Sequence, residues 1–449
     1  MNNNNIHVFC QNLLNSSPSK YIEDYQHLQK KVANSSARYN GKPVPFLYQP
    51  MLYSQEDKNI LIKTAEHLTE ILKKICEKYL ADPKFRSYFG FPPLMEDLIL
   101  LDPGYDKYFP VARFDVFYED RNNIKFCELN ADGTSGMNEN RVLSRFFQNS
   151  RLMSKLQNSY NITSFDLFQS LLDMIINCYQ DYCQNQSPAI NKRPTIAITD
   201  FEGEGIISEF REIKNFFSSQ GYKTFICDPR NFEYNGRHLL YQNQKIDIIY
   251  RRATTARIVE EASGLSELFQ ACRDQSVCLI GGFTSQIIHN KILFAVLHNP
   301  EAISFLNTKE KKFIYDHIPK TWKLDPGDRE LIRELLKNKN DYIVKPEDRF
   351  ACHGVYAGKD YTHQKWKKIV AKICDKSYIM QKYIEAPELK LPVTGNEKFK
   401  YTTFKYLIGI YLFGQSYSGF YTRAGRKNII GAATESYTLP GYIYVPREG

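Results

Sequence analysis

The sequence predicts an α/β protein of mixed α+β character that contains a Rossmann-like layer. Three observations point there. Between Thr195 and Gly282, short apolar, β-branched runs alternate with helix-like stretches, which is the pattern of a parallel sheet. Outside that region, polar-bearing strands come in hairpin-like pairs, which calls for antiparallel sheet as well. At 449 residues the chain exceeds one simple core, so two or three domains are expected.

Taken in order, the chain opens on "MNNNN", which reads as a frayed end. Leu61, Ala65, Leu68, Leu72, Ile75 and Tyr79 recur at helical spacing and predict an amphipathic helix from Leu61 to Leu80. "FDVFY" and "IKFCELN" follow as two strands joined by "EDRNN", and a helix begins near Asn138. A further helix is expected from Ser164 to Cys183, with Ser164 as its N-cap. The polar, proline-bearing "QNQSPAINKRP" marks a boundary.

The alternating region comes next. Its strands are "TIAITD", "YKTFICD", "KIDIIYRR" and "SVCLIGG", with helices from about Glu204 to Gln220 and Arg257 to Cys272. No GxGxxG turn is present, so a dinucleotide is not supported as a ligand. The last third reads as three helices ("QIIHNKILFAVLHN", "TKEKKFIYDHI", "GDRELIRELLKN"), then strand, loop and strand in "DYIVKPEDRFACHGVYAG". A strand-like segment from Lys376 to Glu388 leads to a long antiparallel pair turning at Gly414. The expected division is 1–100 helical, 101–188 carrying the polar hairpin, 189–285 Rossmann-like, and 286–449 for the rest.

Composition narrows the function classes. With 43% hydrophobic and 24% charged residues the chain is globular, and 14% aromatics argue against extended disorder. A net charge of +9 suits anionic small molecules, while no Lys/Arg block resembles a nucleic-acid arm. The ten cysteines are scattered without a CxxC pair, and no secretory signal is evident, so reduced thiols in a cytoplasmic protein are expected. No run of 18 apolar residues exists, so no membrane span is expected.

The chemistry concentrates in "RFDVFYEDRNNIKFCELNADGTSG". Glu128 and Asn130, two apart on a strand, leave the same face. If Asp115 has matching parity on the partner strand, three hard oxygen donors converge, a set that suits Mg²⁺ with substrate phosphates. Arg113 would offset the repulsion between the carboxylates. A solvent-facing polar stripe is the other reading of these residues. Lys345, delivered by a strand and followed by a loop to Gly354, could meet a phosphate, as could Lys291. Gln381 could read an adenine edge, and Arg423 at a strand end could hold an oxyanion.

The order of these pieces resembles the circularly permuted ATP-grasp proteins related to glutathionylspermidine synthase. Their R-F-D, gap, E-x-N-A-D, Ser/Thr pattern is matched at Arg113, Phe114, Asp115, Glu128, Asn130, Ala131, Asp132, Thr134 and Ser135. The hairpin precedes both candidate lysines, which is the permuted order. "HNKILFAVL", "YIVKPEDRFACHGVYAG" and "YIMQKYIEAP" resemble the lysine helix, phosphate loop and adenine-side strand. The resemblance runs from about Tyr105 to the C-terminus. It implies ATP and Mg²⁺ as cofactors, with Asp115, Glu128 and Asn130 as metal ligands, and Lys291, Lys345, Gly354 and Gln381 around ATP. Arg113, Ser135 and Arg423 would face the reacting carboxyl group.

The implied activity is ATP-dependent ligation of a small-molecule or peptide carboxylate to an amine, with no nucleic acid or membrane as partner. Relatives carry several glycines where "DRFACHG" retains Gly354, so a catalytically silent nucleotide-binding or scaffold protein is the alternative. The amidase of the bifunctional synthases has no counterpart in the first hundred residues, so hydrolase activity is not expected.

Overall fold

The computed structural model describes residues 4–186, 191–349, 352–431 and 434–447. Met1–Asn3 of the expected frayed end and residues 187–190 of the expected boundary lie outside them, and Asn4 already opens a helix, Asn4–Ser16.

The mixed α/β class read from the sequence is the class observed. Four parallel strands lie in the order Cys278–Ile280, Ile248–Arg251, Ile196–Thr199, Thr224–Cys227. Their near-uniform burial explains the continuous apolar runs in the sequence. A six-stranded antiparallel sheet is built on the long strand Phe399–Phe413. One of its edges pairs with Ser416–Gly425. The other is shared, with Glu388–Thr394 on its first half and Val111–Asp120 on its second. Asn123–Asn130 closes that side, so the polar hairpin continues the long antiparallel pair. A smaller antiparallel sheet runs Thr321–Lys323, Tyr378–Lys382, Tyr342–Pro346, Tyr356–Ala357. Helices Arg329–Lys337 and His363–Ile373 cover it through Leu335, Trp366 and Val370.

The first hundred residues join the body rather than stand apart. Met51–Ser54 pairs with Gly441–Pro446, which also takes Tyr160–Thr163. The amphipathic helix extends from Gln55 to Ala81, and all six of its predicted apolar positions are fully buried. It starts where Ser54 Oγ accepts from the Asp57 backbone N–H while Asp57 Oδ2 accepts from that of Ser54, a reciprocal cap.

Three helix expectations need correction. The helix assigned to Ser164–Cys183 spans Leu167–Gln186, and Asp166, not Ser164, caps it by accepting from Gln169 N–H. The Arg257–Cys272 segment is two helices, Thr255–Glu260 and Ser266–Arg273, separated by a short turn around Gly264. "QIIHNKILFAVL" breaks as well. Asn290 is extended, and its side-chain oxygen accepts from Ile292 N–H, so Lys291 stands at the break between Gln286–His289 and Ile292–Val296.

All ten cysteines are unpaired, and all but Cys127, Cys352 and Cys374 are buried. Among the described residues no helix is long and apolar enough to cross a membrane.

Candidate functional site

Strand register assembles the site. Tyr421, Gly409, Asp115 and Glu128 are successive partners across four neighbouring strands, so they form one row on one face. Arg113 and Asn130 pair with each other in the next row of the hairpin on that face. The parity that the sequence left open is therefore the one that brings Asp115, Glu128 and Asn130 together.

This face is not a solvent-facing polar stripe. Asp115 is 1% exposed and Arg113 7%. A charge buried that deeply must be paired. Asp115 Oδ1 accepts from Arg113 Nε at 2.7 Å. Its Oδ2 accepts from Arg423 Nη2 at 2.6 Å, Arg113 Nη2 at 3.1 Å and Asn130 Nδ2 at 3.2 Å. Two guanidiniums converge on one carboxylate, and the Tyr421 ring lies 5.4 Å from the first and 5.6 Å from the second. Gly409 makes this possible, because a Cβ there would sit 2.6 Å from Arg113 Cδ. The sequence did carry that signal, a glycine inside the apolar strand "YLIGIYLF", and the reading of motifs passed over it.

The lysines arrive from two other elements. Lys291 Nζ lies 3.0 Å from Glu128 Oε1 and donates to the Arg349 carbonyl. Burial alone would raise the pKa of Glu128, but Lys291, Lys345 and Arg423 outweigh it and hold the carboxyl down to about 2. Lys345 Nζ donates to the Cys127 carbonyl at 3.0 Å and to Gln381 Oε1 at 2.8 Å. Cys127 is the extra residue of a β-bulge opposite Asp115 and Val116, which releases its carbonyl from the regular ladder. Burial lowers the pKa of Lys345.

Gln381, expected beside adenine, has both ends of its amide engaged: Oε1 accepts from Lys345, and Nε2 donates to Thr321 Oγ1. It is 2% exposed and fixes the lysine. In "DRFACHG", Phe350 and Ala351 lie outside the described residues. Gly354 has φ +76°, and a Cβ there would lie 2.7 Å from Tyr378 Oη, so glycine is required by conformation and by space. Ser135 takes part through its backbone carbonyl, which accepts from Arg113 Nη1 at 2.7 Å and Tyr411 Oη at 2.9 Å.

Sequence reasoning missed the clamp behind this loop. Asp132 pairs with Arg251 at 2.7 Å and accepts from Thr255 N–H. Arg252 pairs with Glu209 at 3.2 Å and donates to the Thr134 carbonyl. Glu209 in turn accepts the backbone N–H groups of Gly136 and Asn138. "NADGTSG" is thus held by residues of the parallel-sheet unit. The signal was the pair Arg251–Arg252 ending an otherwise apolar strand.

The donor set fits a hard divalent cation only in part. Glu128 offers a carboxylate, and Asn130, with its NH₂ turned to Asp115, offers its carbonyl oxygen. Asp115 would have to release a guanidinium to join them. Among the described residues no cluster of three or more His, Cys, Asp and Glu could hold a metal unaided.

The architecture is a mixed α/β, ATP-grasp-like one. The chain is similar in fold to the apo structure of a glutathione synthetase-like effector from Globodera pallida. The identity is 12% and the TM-score 0.59, over 96% of this chain and 97% of that one. A D-cycloserine synthetase matches at 12% identity and TM-score 0.30, over 55% of this chain and 90% of its own. D-alanyl-alanine synthetase A from Vibrio cholerae matches at 14% identity and TM-score 0.27, over 48% and 68%. No protein-family model matches the sequence, and a search of curated proteins finds no match.

Proposed function

We propose that the chain is an ATP-dependent carboxylate–amine ligase of circularly permuted ATP-grasp type. It would form an amide or peptide bond through an acyl phosphate, with release of ADP and phosphate. One observation carries this reading: two lysines from separate elements meet the Asn123–Asn130 strand of the hairpin while two arginines converge on its partner strand. Phosphate-binding cations and carboxylate-binding cations then lie on either side of Glu128 and Asn130.

Each ammonium uses two of its three N–H groups on protein oxygens among the described residues, which leaves one for a phosphate oxygen. Gln381 sets the direction of Lys345, and Gly354 lets the following loop come close. Glu128 and Asn130 would hold Mg²⁺, joined by Asp115 once Arg423 turns to substrate, and the bound ion would offset charge on the transferring phosphoryl group. Arg113 and Arg423 neutralise the acyl carboxylate and then the tetrahedral oxyanion, beside the Ser135 loop. No side-chain nucleophile is needed.

The test is ADP release across a panel of amino acids, short peptides and polyamines. Glu128→Gln is the variant of choice, since Glu128→Ala would strand the buried Lys291. It should lower ADP release by about 10²–10³-fold with a thermal transition close to that of wild type. Unchanged ATP consumption in that variant would overturn the assignment of the metal edge.

A further inference from the structure

Glu139 stands in the first turn of the helix Met137–Gln148, directly after Gly136, whose φ is +97°. Four other carboxylates around this loop are paired: Asp115, Glu128, Asp132 and Glu209 each meet an arginine or lysine. Glu139 forms no ion pair among the described residues and is half-buried. Among the described residues its one side-chain partner is the Tyr421 hydroxyl, which donates to Oε1.

The start of this helix is packed too closely for any side chain at Gly136. A Cβ on Gly136 would lie 3.1 Å from Tyr411 Oη, 3.3 Å from Glu139 Oε1 and 3.3 Å from the Tyr421 ring. Tyr411 also donates to the Ser135 carbonyl, where Arg113 Nη1 is bound. Glu139, half-buried, therefore stands in one cluster with Tyr421, Tyr411 and the Ser135 loop, next to the residues assigned to the acyl group.

The ligase reading imposes a requirement on the amine. An alkylamine is an ammonium at neutral pH, and its nitrogen has no lone pair until a proton leaves. We propose that Glu139 accepts this proton, so that a cationic amine co-substrate approaches on the exposed side of Glu139, beside Tyr421 and the Ser135 loop. This rests on the ligase reading. One N–H bond of the ammonium breaks and the proton goes to the Glu139 carboxylate. The freed lone pair attacks the acyl carbon, and the C–O bond to phosphate breaks with its electron pair leaving on phosphate. The second nitrogen proton passes to the departing phosphate, which leaves a neutral amide.

Burial pushes the Glu139 carboxyl up to about 7, with Glu209 adding to the rise and Tyr421, Arg423 and Arg113 opposing it. Tyr411 faces the group from the long strand, and Tyr39 from the N-terminal hairpin. A base in that range is matched to proton transfer near neutrality.

The experiment compares two nucleophiles on the same acid. Hydroxylamine is largely unprotonated at neutral pH and needs no base, whereas an alkylamine such as 1,4-diaminobutane does. Wild type should form both hydroxamate and amide, with amide formation rising with pH through about 7. In Glu139→Gln the ratio of amide to hydroxamate should fall about 10²–10⁴-fold, and the pH limb should vanish. Tyr421→Phe keeps the carboxylate but removes a hydrogen bond that favours its charged form, so its limb should move to higher pH. An unchanged ratio in Glu139→Gln overturns the proposal, as does equal loss of both products. No hydroxamate from wild type with any acid overturns the ligase reading, and the proposal with it.

Discussion

Asp115 and Glu139 belong to one site and behave as opposites. Asp115 receives four hydrogen bonds from two arginines and an amide, and Glu139 receives one from a phenol. The folded-state pKa of Glu139, about 7 against an ordinary 4.5, has a consequence for stability. Between those values the folded state holds more protons than the unfolded one, so this group's contribution to stability falls as pH rises through the window. Glu139→Gln carries no such dependence. Its Tm relative to wild type should therefore increase between about pH 5 and about pH 8, with the variant the more stable at the upper end. Thermal melts at the two pH values check this, and a pH-independent difference would count against an uncharged Glu139 at low pH. A stabilised but slower variant would be the usual mark of a functional acid held at a cost to the fold.

At the level of elements, the long strand Phe399–Phe413 organises the site by what it lacks. Gly409 sits between Tyr421 and Asp115, and the Arg113 side chain fills the space over it. Gly409→Ala should displace Arg113 from Asp115 and cut ADP release about 10–10²-fold, since a shift of about 1 Å in a positioning group is enough for that. The strand keeps its ladder, so the variant's Tm should fall only modestly. The hairpin itself was legible as strands because "FDVFY" and "IKFCELN" are rich in aromatic and β-branched residues. Its register was not, because the bulge at Cys127 is fixed by contacts with Lys345 and with the facing strand. The break at Asn290 escaped notice for a similar reason. An asparagine side chain competing for a backbone N–H leaves no trace in apolar periodicity.

For the whole molecule, one buried ion pair couples the site loop to the parallel-sheet unit, and a second, within that unit, takes hydrogen bonds from the loop and gives one to it. Arg251 is 1% exposed at the side chain and relies on Asp132, and Arg252 relies on Glu209. Asp132→Ala leaves the Arg251 guanidinium buried without its partner, which costs about 3–5 kcal/mol. Urea unfolding should show a midpoint lowered accordingly, and a midpoint equal to wild type would mean that Arg251 finds water on losing Asp132. The carboxylate in "NADG" is thus an anchor between the hairpin loop and the parallel sheet.

By itself the sequence determined the mixed α/β class, the amphipathic helix over Leu61–Leu80, the four parallel strands and the short list of polar residues on buried-type strands. Each of these is a local property, since periodicity and β-branching report how one element is solvated along its own length. The tertiary structure alone decided who meets whom: Arg423 and Arg113 on Asp115, Lys291 on Glu128, Gln381 on Lys345 and Glu139 on Tyr421. All but one of these contacts join elements remote in sequence, and Arg113–Asp115, the local one, depends on the gap at Gly409 across the sheet. A side chain's partner is set by register and packing, which exist only once the elements have been brought together.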